Sequence, residues 1–531
     1  MEKQKTKEMK YIRLFLMATI CLVWAEAFTQ QPPFSHIEIN NIRATIRGDG
    51  TFWVPQEGSE YYVEETGYTG HHPDCTTWEV PQGSGKETVF QHALWLGGMD
   101  EADSLRLAAF RFGQVGVDYW SGPLKTSDGS TEMMTVLKYL RIWNLTRAQI
   151  NDFIAHHGNT NYSIPNDIMT WPAHGDAGYA ANLAPFVDVN GDGRYHPEEG
   201  DYPDIKGDQC LFFIFNDTYA SHTESGGKPV GLEAHGMVYA FDAPNDEALD
   251  NTIFFNYKFY NRSSHNYHDT YLGLWTDWDL GYGWDDFVGC DVRRGSCFAY
   301  NGTAIDGEGQ SYAYWAYGDN PPVQVCTVLA GPYMDADGRD NPAYNGDCNT
   351  LFNETHPLDK YAYTGYNFGN GIVDDERLGM CGFMYHNNSN MDNGDPRTAP
   401  HFYNYMRGIW INDLPMQYGG NAFEGENVVG PECKFMFPGD SDPCNFGTNG
   451  VSPNGGYNTN GKYWTEEECG NTPGDRRGLA MVGPFSFPAG SMQELDYAMI
   501  TVWKNNSQSA MERKGAFIDH IRSLFNNGFA K

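Results

Sequence analysis

The chain has 531 residues, a formal charge of −34, 15% aromatic residues and 60 glycines. Such an acidic surface repels nucleic acid and anionic lipid and excludes both as partners. The aromatic content excludes a disordered chain, and the wealth of Gly, Asn and Asp makes it turn-rich and therefore mainly β.

The N-terminus reads as a secretory signal peptide over residues 1–27. Lys3, Lys5, Lys7, Lys10 and Arg13 precede an apolar stretch, Leu14 to Val23, and Ala25-Glu26-Ala27 is a small-x-small cleavage pattern. The stretch is half the roughly 20 residues a bilayer span requires, so the mature chain is expected to be exported, with no membrane span. Cleavage removes five positive and three negative charges and takes the formal charge from −34 to −36. Ten cysteines remain after Cys21 is lost, an even number for an oxidising compartment, which predicts disulfides. Spacing leaves their pairing open, though Cys290 and Cys297 stand close enough to staple a hairpin.

From His36 to Arg47 the sequence alternates in period two, Gly48-Asp49-Gly50 makes a turn, and Thr51 to Val54 resumes a strand. Thr88 to Gly97 reads as a buried strand. Thr146 with Gln149 forms a capping box ahead of Ile150, Phe153 and Ile154, the stripe of a helix packed on a sheet. Strands are predicted over Cys210 to Phe215, Ala234 to Phe241, Thr252 to Tyr260 and Thr270 to Trp275; their short spacing indicates an antiparallel sandwich. Residues 331–475 read as long ordered loops tied by disulfides and ions; counted from Cys326, this stretch holds six of the ten mature cysteines. A strand from Tyr497 to Trp503 precedes an amphipathic helix, Ser509 to Asn526, with Gly528 as its C-cap. The expected organisation is a signal peptide (1–27), an N-terminal β region with one helix and a calcium loop (28–208), a β-sandwich core (209–508) and a C-terminal helix (509–531).

The sharpest motif is Asp188-Val-Asn190-Gly-Asp192-Gly193-Arg194-Tyr-His196-Pro-Glu198-Glu199, which fits D-x-[DN]-x-[DN]-G-x5-E without a gap. Calcium takes six to eight hard oxygens. Asp188, Asn190 and Asp192 offer side-chain oxygens, Arg194 its carbonyl and Glu199 two carboxylate oxygens; His196 would act through water. Pro185 and Pro197 argue against flanking EF-hand helices, so a solitary structural calcium loop is expected. Weaker acidic groups are Asp335-Ala-Asp337-Gly338-Arg-Asp340, the set Asp277, Asp279, Asp285, Asp286 and Asp291, and the turn-like Asp392/Asp395 and Asp440/Asp442.

Gly83 to Thr88 fails the phosphate-loop pattern at Val80 and Glu87. Neither HExxH nor G-x-S-x-G occurs, and the pairs His71-His72 and His156-His157 read as surface residues. Glycoside hydrolysis needs two carboxylates across a cleft. Asp374, Asp375 and Glu376 qualify by type alone, and Trp275, Trp278 and Trp284 suit either a sugar platform or a sandwich core.

Several segments are distinctive in wording: LAPFVDVNGDGRYHPEEGDYPDIKGDQ, NYKFYNRSS, YLGLWTDWDLGYGWDDFVGCD, NYMRGIW, FMFPGDSDPC and DRRGLAMVGPFSFPAG. Together, over roughly Ile39 to Phe529, they make the chain resemble a group of large secreted proteins of Bacteroidota bacteria. Members usually end in a C-terminal sorting domain read by the type IX secretion system, and the group carries no established activity. The resemblance implies export and leaves mechanism open; a sorting domain is expected to be absent here, since the sequence given stops at Lys531. The sequence therefore predicts a secreted, calcium-binding, non-enzymatic protein of the extracellular space or outer cell surface. Its role would be structural, adhesive or binding, with polysaccharide or cell-surface components as partners. The alternative is an extracellular carbohydrate binder or glycoside hydrolase.

Overall fold

The computed structural model describes residues 32–52, 62–63, 69–70, 77–111, 115–310, 315–423, 430–453 and 463–529. The export segment, Cys75, the pair His71-His72 and the predicted strand residues Trp53 and Val54 lie outside them.

The chain is mainly β and antiparallel. Its principal strands are β1 (Phe34–Ile37), β2 (Arg43–Arg47), β3 (Val89–Met99), β4 (Leu105–Ala108), β5 (Trp143–Thr146), β6 (Gln209–Asn216), β7 (Leu232–Ala240), β8 (Thr252–Asn261), β9 (Tyr267–Trp278), β10 (Asp286–Asp291), β11 (Ser296–Asn301), β12 (Val323–Ala330), β13 (Gly382–His386), β14 (Arg476–Phe487) and β15 (Met492–Val502). The larger sheet runs β10-β11-β12-β15-β8-β7-β6, with β5 and the short strand Trp120–Ser121 both laid against β6; the smaller runs β13-β14-β9-β3-β4. Strands β3 and β5 thus pair with strands that lie far beyond them in the chain.

Period-two patterning explains the layering. In β6, Leu211, Phe213 and Phe215 enter one core, while Cys210, Phe212 and Ile214 enter another on the opposite face. Strand β15 splits the same way: Leu495, Tyr497 and Met499 face the first core, Ala498, Ile500 and Val502 the second. The first core is the sandwich interior, shared with Trp95, Leu274 and Leu479 of the smaller sheet. The second lies on the outer face and is covered by helices α1 (Arg147–His156) and α3 (Ala510–Asn526). A strand with apolar residues on both faces cannot lie against water, so the second core requires those helices.

Both helix starts follow local rules. The Thr146 hydroxyl accepts from the Gln149 amide at 3.2 Å, and the Thr146 amide donates to Gln149 Oε1 at 2.8 Å. Ile150 and Phe153 are fully buried, but Ile154 is 42% exposed and does not belong to the buried stripe. Thr146→Ala is expected to cost about 1 kcal/mol, read as a shift in the urea midpoint with unchanged slope. Ser509 and Glu512 form a second capping box, which the sequence reading passed over, and Gly528 (φ 59°) follows the Asn527 C-cap.

Two expectations are corrected. The run from His36 to Arg47 is a hairpin of β1 and β2, with Ile37 opposite Ala44. It breaks because the Asn40 side chain accepts from the Ile42 amide and turns the chain. Cysteine pairing is also far from complete. One disulfide, Cys348–Cys444, closes a span of 96 residues within the loop region, while seven other described cysteines are free. Cys290 and Cys297 do stand opposite one another in β10 and β11, but the Cys290 thiol is turned onto the Met436 carbonyl at 3.2 Å. The loop region also contains β13 and a helix, α2 (Ala399–Tyr405).

Candidate metal centre

The loop of residues 188–201 closes a short ladder in which Phe186 pairs with Pro203 and Val187 with Tyr202. No helix enters it, and it leaves through a single 3₁₀ turn, Pro197–Glu199, as the two prolines require. Asp201, fully buried, pins both ends: one carboxylate oxygen accepts from the Val189 amide and the other from the His196 amide, at 2.9 and 2.8 Å. Tyr195 anchors the middle, its hydroxyl donating to the Ile168 carbonyl at 2.6 Å.

Within that frame the side chains of Asp188, Asn190 and Asp192 each hold a backbone amide. Asp188 accepts from Gly191 and Gly193, both at 2.7 Å; Asn190 Oδ1 accepts from Asp192 at 3.0 Å; Asp192 accepts from Arg194 at 2.8 Å. The Gly193 amide, first among several, holds the Asp188 carboxyl below its ordinary range, so it is anionic at neutral pH. Gly191 and Gly193 take positive φ (77° and 76°), which the tight turn demands and which any L side chain would strain. Glu199 reaches back across nine residues to accept from Asn190 Nδ2 at 2.8 Å, so the last predicted ligand meets the second.

The donor set suits calcium: hard oxygens, two of them from aspartates, on a loop whose ends are fixed. The carboxylates are nevertheless held apart. Among the described residues no group of three or more His, Cys, Asp or Glu side chains is assembled as a metal cluster, this loop included. Like charges repel, and each acid here is engaged by an amide N–H. Every carboxylate oxygen keeps a further lone pair, so engaging an ion would not require breaking those bonds.

The weaker acidic groups are dispersed onto separate partners. Asp335 accepts from Ser486, Asp337 from the Arg339 amide and Asn341, and Asp340 from the amides of Gly369 and Gly371. Asp374 accepts from the amides of Asp337 and Gly338, Asp375 from Asn367 and Asn370, and buried Glu376 from the Asn341 amide, so these three face the chain instead of a cleft. Asp442 accepts from the amides of Phe446 and Gly447. In the remaining group Asp291 pairs with Arg294 at 3.0 Å, while Asp277 and Asp286 are interior, their carboxyls pushed well up by burial. Trp275 and Trp278 are core residues at 1% and 0% exposure; Trp284 alone of the three meets solvent, at 65%. The sugar platform offered by the sequence is therefore not built. The Gly83–Lys86 segment is a turn whose Gly85 amide donates to Glu79.

What the sequence reading missed is the buried charge at Arg477. It bridges Asp277, Asp395 and Asp475 across 200 residues of chain, and only the register of β9 on β14 brings it there. No local pattern announces it.

No protein-family model matches the chain, and no curated protein matches it in sequence. Among the described residues no helix is long and apolar enough to cross a membrane.

Proposed function

We propose that this is an exported protein, similar in kind to the secreted Bacteroidota group its segments resemble. It works outside the cell as a calcium-stabilised, non-enzymatic β-sandwich in a structural, adhesive or binding role. The observation that carries the calcium assignment is the loop itself. Asp188, Asn190, Asp192, the Arg194 carbonyl and Glu199 occupy the template positions, the two glycines take the required left-handed conformation, and Glu199 folds back onto Asn190. A calcium ion there would draw together the carboxylates that the loop now holds apart, and would join the 3₁₀ turn to the start of the loop. The role is stabilising because the loop is exposed at its tip and anchored to the body by Asp201 and Tyr195. Support for a carbohydrate-directed alternative is reduced by the burial of Trp275 and Trp278.

The test is the melting temperature of the purified protein with calcium and with chelator. A ligand that binds only the folded state stabilises by mass action, about 2.7 kcal/mol at a hundredfold excess over Kd. Calcium is expected to raise the melting temperature of the wild type and to leave the double variant Asp188→Ala, Asp192→Ala unmoved. A double variant that still responds would assign the effect to another site. A wild type indifferent to calcium, with none retained through the chelator, would reduce the loop to a turn.

A further inference from the structure

A cavity of about 650 Å³ lies between the smaller sheet and the loop region, remote in sequence from residues 188–199. That volume falls in the range that holds a small organic ligand. Its apolar lining comes from Tyr271 of β9, Met481 of β14, Met406 just after α2, and Tyr361, Phe352 and Phe446 from the loops. The Cys348–Cys444 disulfide ties the segments carrying Phe352 and Phe446 together, so the aromatic side is built on a fixed scaffold.

The charge on this cavity runs against that of the molecule. The chain has 69 acidic residues and 35 basic ones, yet among the described residues Lys360, Arg407 and Lys434 line the cavity beside a single acid, Glu432. Among the described residues none of the three cations has a carboxylate within ion-pair distance. Lys434 Nζ donates to the Arg407 carbonyl at 2.5 Å, Lys360 Nζ sits 5.2 Å from the Tyr361 ring centre, and the Arg407 guanidinium lies 4.4 Å from that of Tyr403. Arg407 donates through Nη2 to Asn404, while its buried Nε has no partner. In a protein so rich in carboxylates, three unneutralised cations around one apolar hollow form a complementary surface for an anion with a hydrophobic body. Burial pushes up the two thiols on the lining, Cys381 to about 11 and Cys433 higher still, so both face the cavity as neutral thiols at pH 7.

We infer that this cavity binds a small organic anion with a flat apolar body, such as an aryl carboxylate or sulfonate. The ring would lie among Tyr271, Tyr361 and Phe446, and the anionic group would meet Lys360, Arg407 and Lys434.

The probe is 8-anilinonaphthalene-1-sulfonate, titrated by fluorescence into the folded full chain, with neutral N-phenyl-1-naphthylamine as comparison. We expect one site per chain, anionic probe bound at least tenfold more tightly than neutral, and affinity falling with added salt. Lys360→Glu with Lys434→Glu should weaken the anionic probe more than tenfold and leave the neutral one within about twofold. Val451→Trp fills the rim from a residue that is 53% exposed, and should weaken both probes. If the charge-reversed protein fails to fold, judged by circular dichroism, Val451→Trp and the salt series carry the test. Equal binding of the two probes, or an affinity unmoved by salt and by every folded variant, would overturn the assignment.

Discussion

Arg477→Met is expected to destabilise the protein by about 3–5 kcal/mol, the loss that results when one partner of a buried ion pair is removed. The guanidinium is 1% exposed and stands on β14 directly opposite Asp277 of β9. Nη1 donates to both oxygens of Asp395 at 2.8 and 2.9 Å, and Nε lies 3.4 Å from Asp277. Methionine fills much of the same volume without charge, so the loss measures what becomes of the acids. Asp395 keeps some access to water, whereas Asp277 is 3% exposed and would be left as an uncompensated interior anion. Burial already pushes the Asp277 carboxyl well up, and Arg477 is the first influence pulling it back. In the variant it should therefore hold a proton to higher pH than in the unfolded chain. The penalty then grows as pH rises and is relieved as pH falls, so denaturant midpoints of variant and wild type should lie closer at pH 5 than at pH 8. Adding Asp277→Leu should recover part of the loss, because two apolar replacements leave no orphan charge. A single variant losing under about 1 kcal/mol would show that water reaches this interior.

That ion cluster marks where sequence reading stops. Helix starts were legible because a capping box is closed within four residues, as at Thr146 and Gln149. The sandwich was legible because short β-prone runs such as Cys210 to Phe215 and Thr252 to Tyr260 follow one another at close spacing, joined by turn residues. The turn geometry of residues 188–199 was legible for the same local reason, since the whole motif falls within twelve residues. Arg477 and Asp277 meet only through sheet register, and the cationic cavity gathers residues from 271 to 484, so neither leaves a mark in any short window. The cysteines mislead in the opposite direction: an even count says nothing of whether two sulfurs face each other, and the Cys290 thiol donates to the Met436 carbonyl.

Interior carboxyls with raised proton affinity are expected to cost stability as pH rises from 5 to 8, opposing the buried imidazoles of His92 and His386, which burial lowers to about 3 and about 4. Glu224, 3% exposed, is pushed up to about 7 by burial, against the amides of Arg111 and Gly116 that donate to it. Asp306 is pushed up to about 6, again by burial, against the amides of Tyr317 and Tyr282. Their ordinary values are 4.5 and 3.8. Between those values and the folded ones the native state binds more protons than the unfolded state, so unfolding free energy declines with pH. At about 1.36 kcal/mol per unit, Glu224 alone accounts for on the order of 3 kcal/mol across its window. Glu224→Gln removes the titration and should flatten the profile between about pH 5 and 8, at a cost that does not vary with pH, because its Nε2 cannot accept from the Arg111 or Gly116 amide. General repulsion in so acidic a molecule also weakens it as pH rises, but that contribution is screened by salt whereas a buried carboxyl is not. The comparison therefore belongs at high ionic strength, with chelator present to remove any contribution from calcium. A variant whose slope under those conditions matches the wild type would mean that Glu224 is already ionised where it sits. The two amides and the Arg111 guanidinium, 3.4 Å away, would then outweigh the cost of burial.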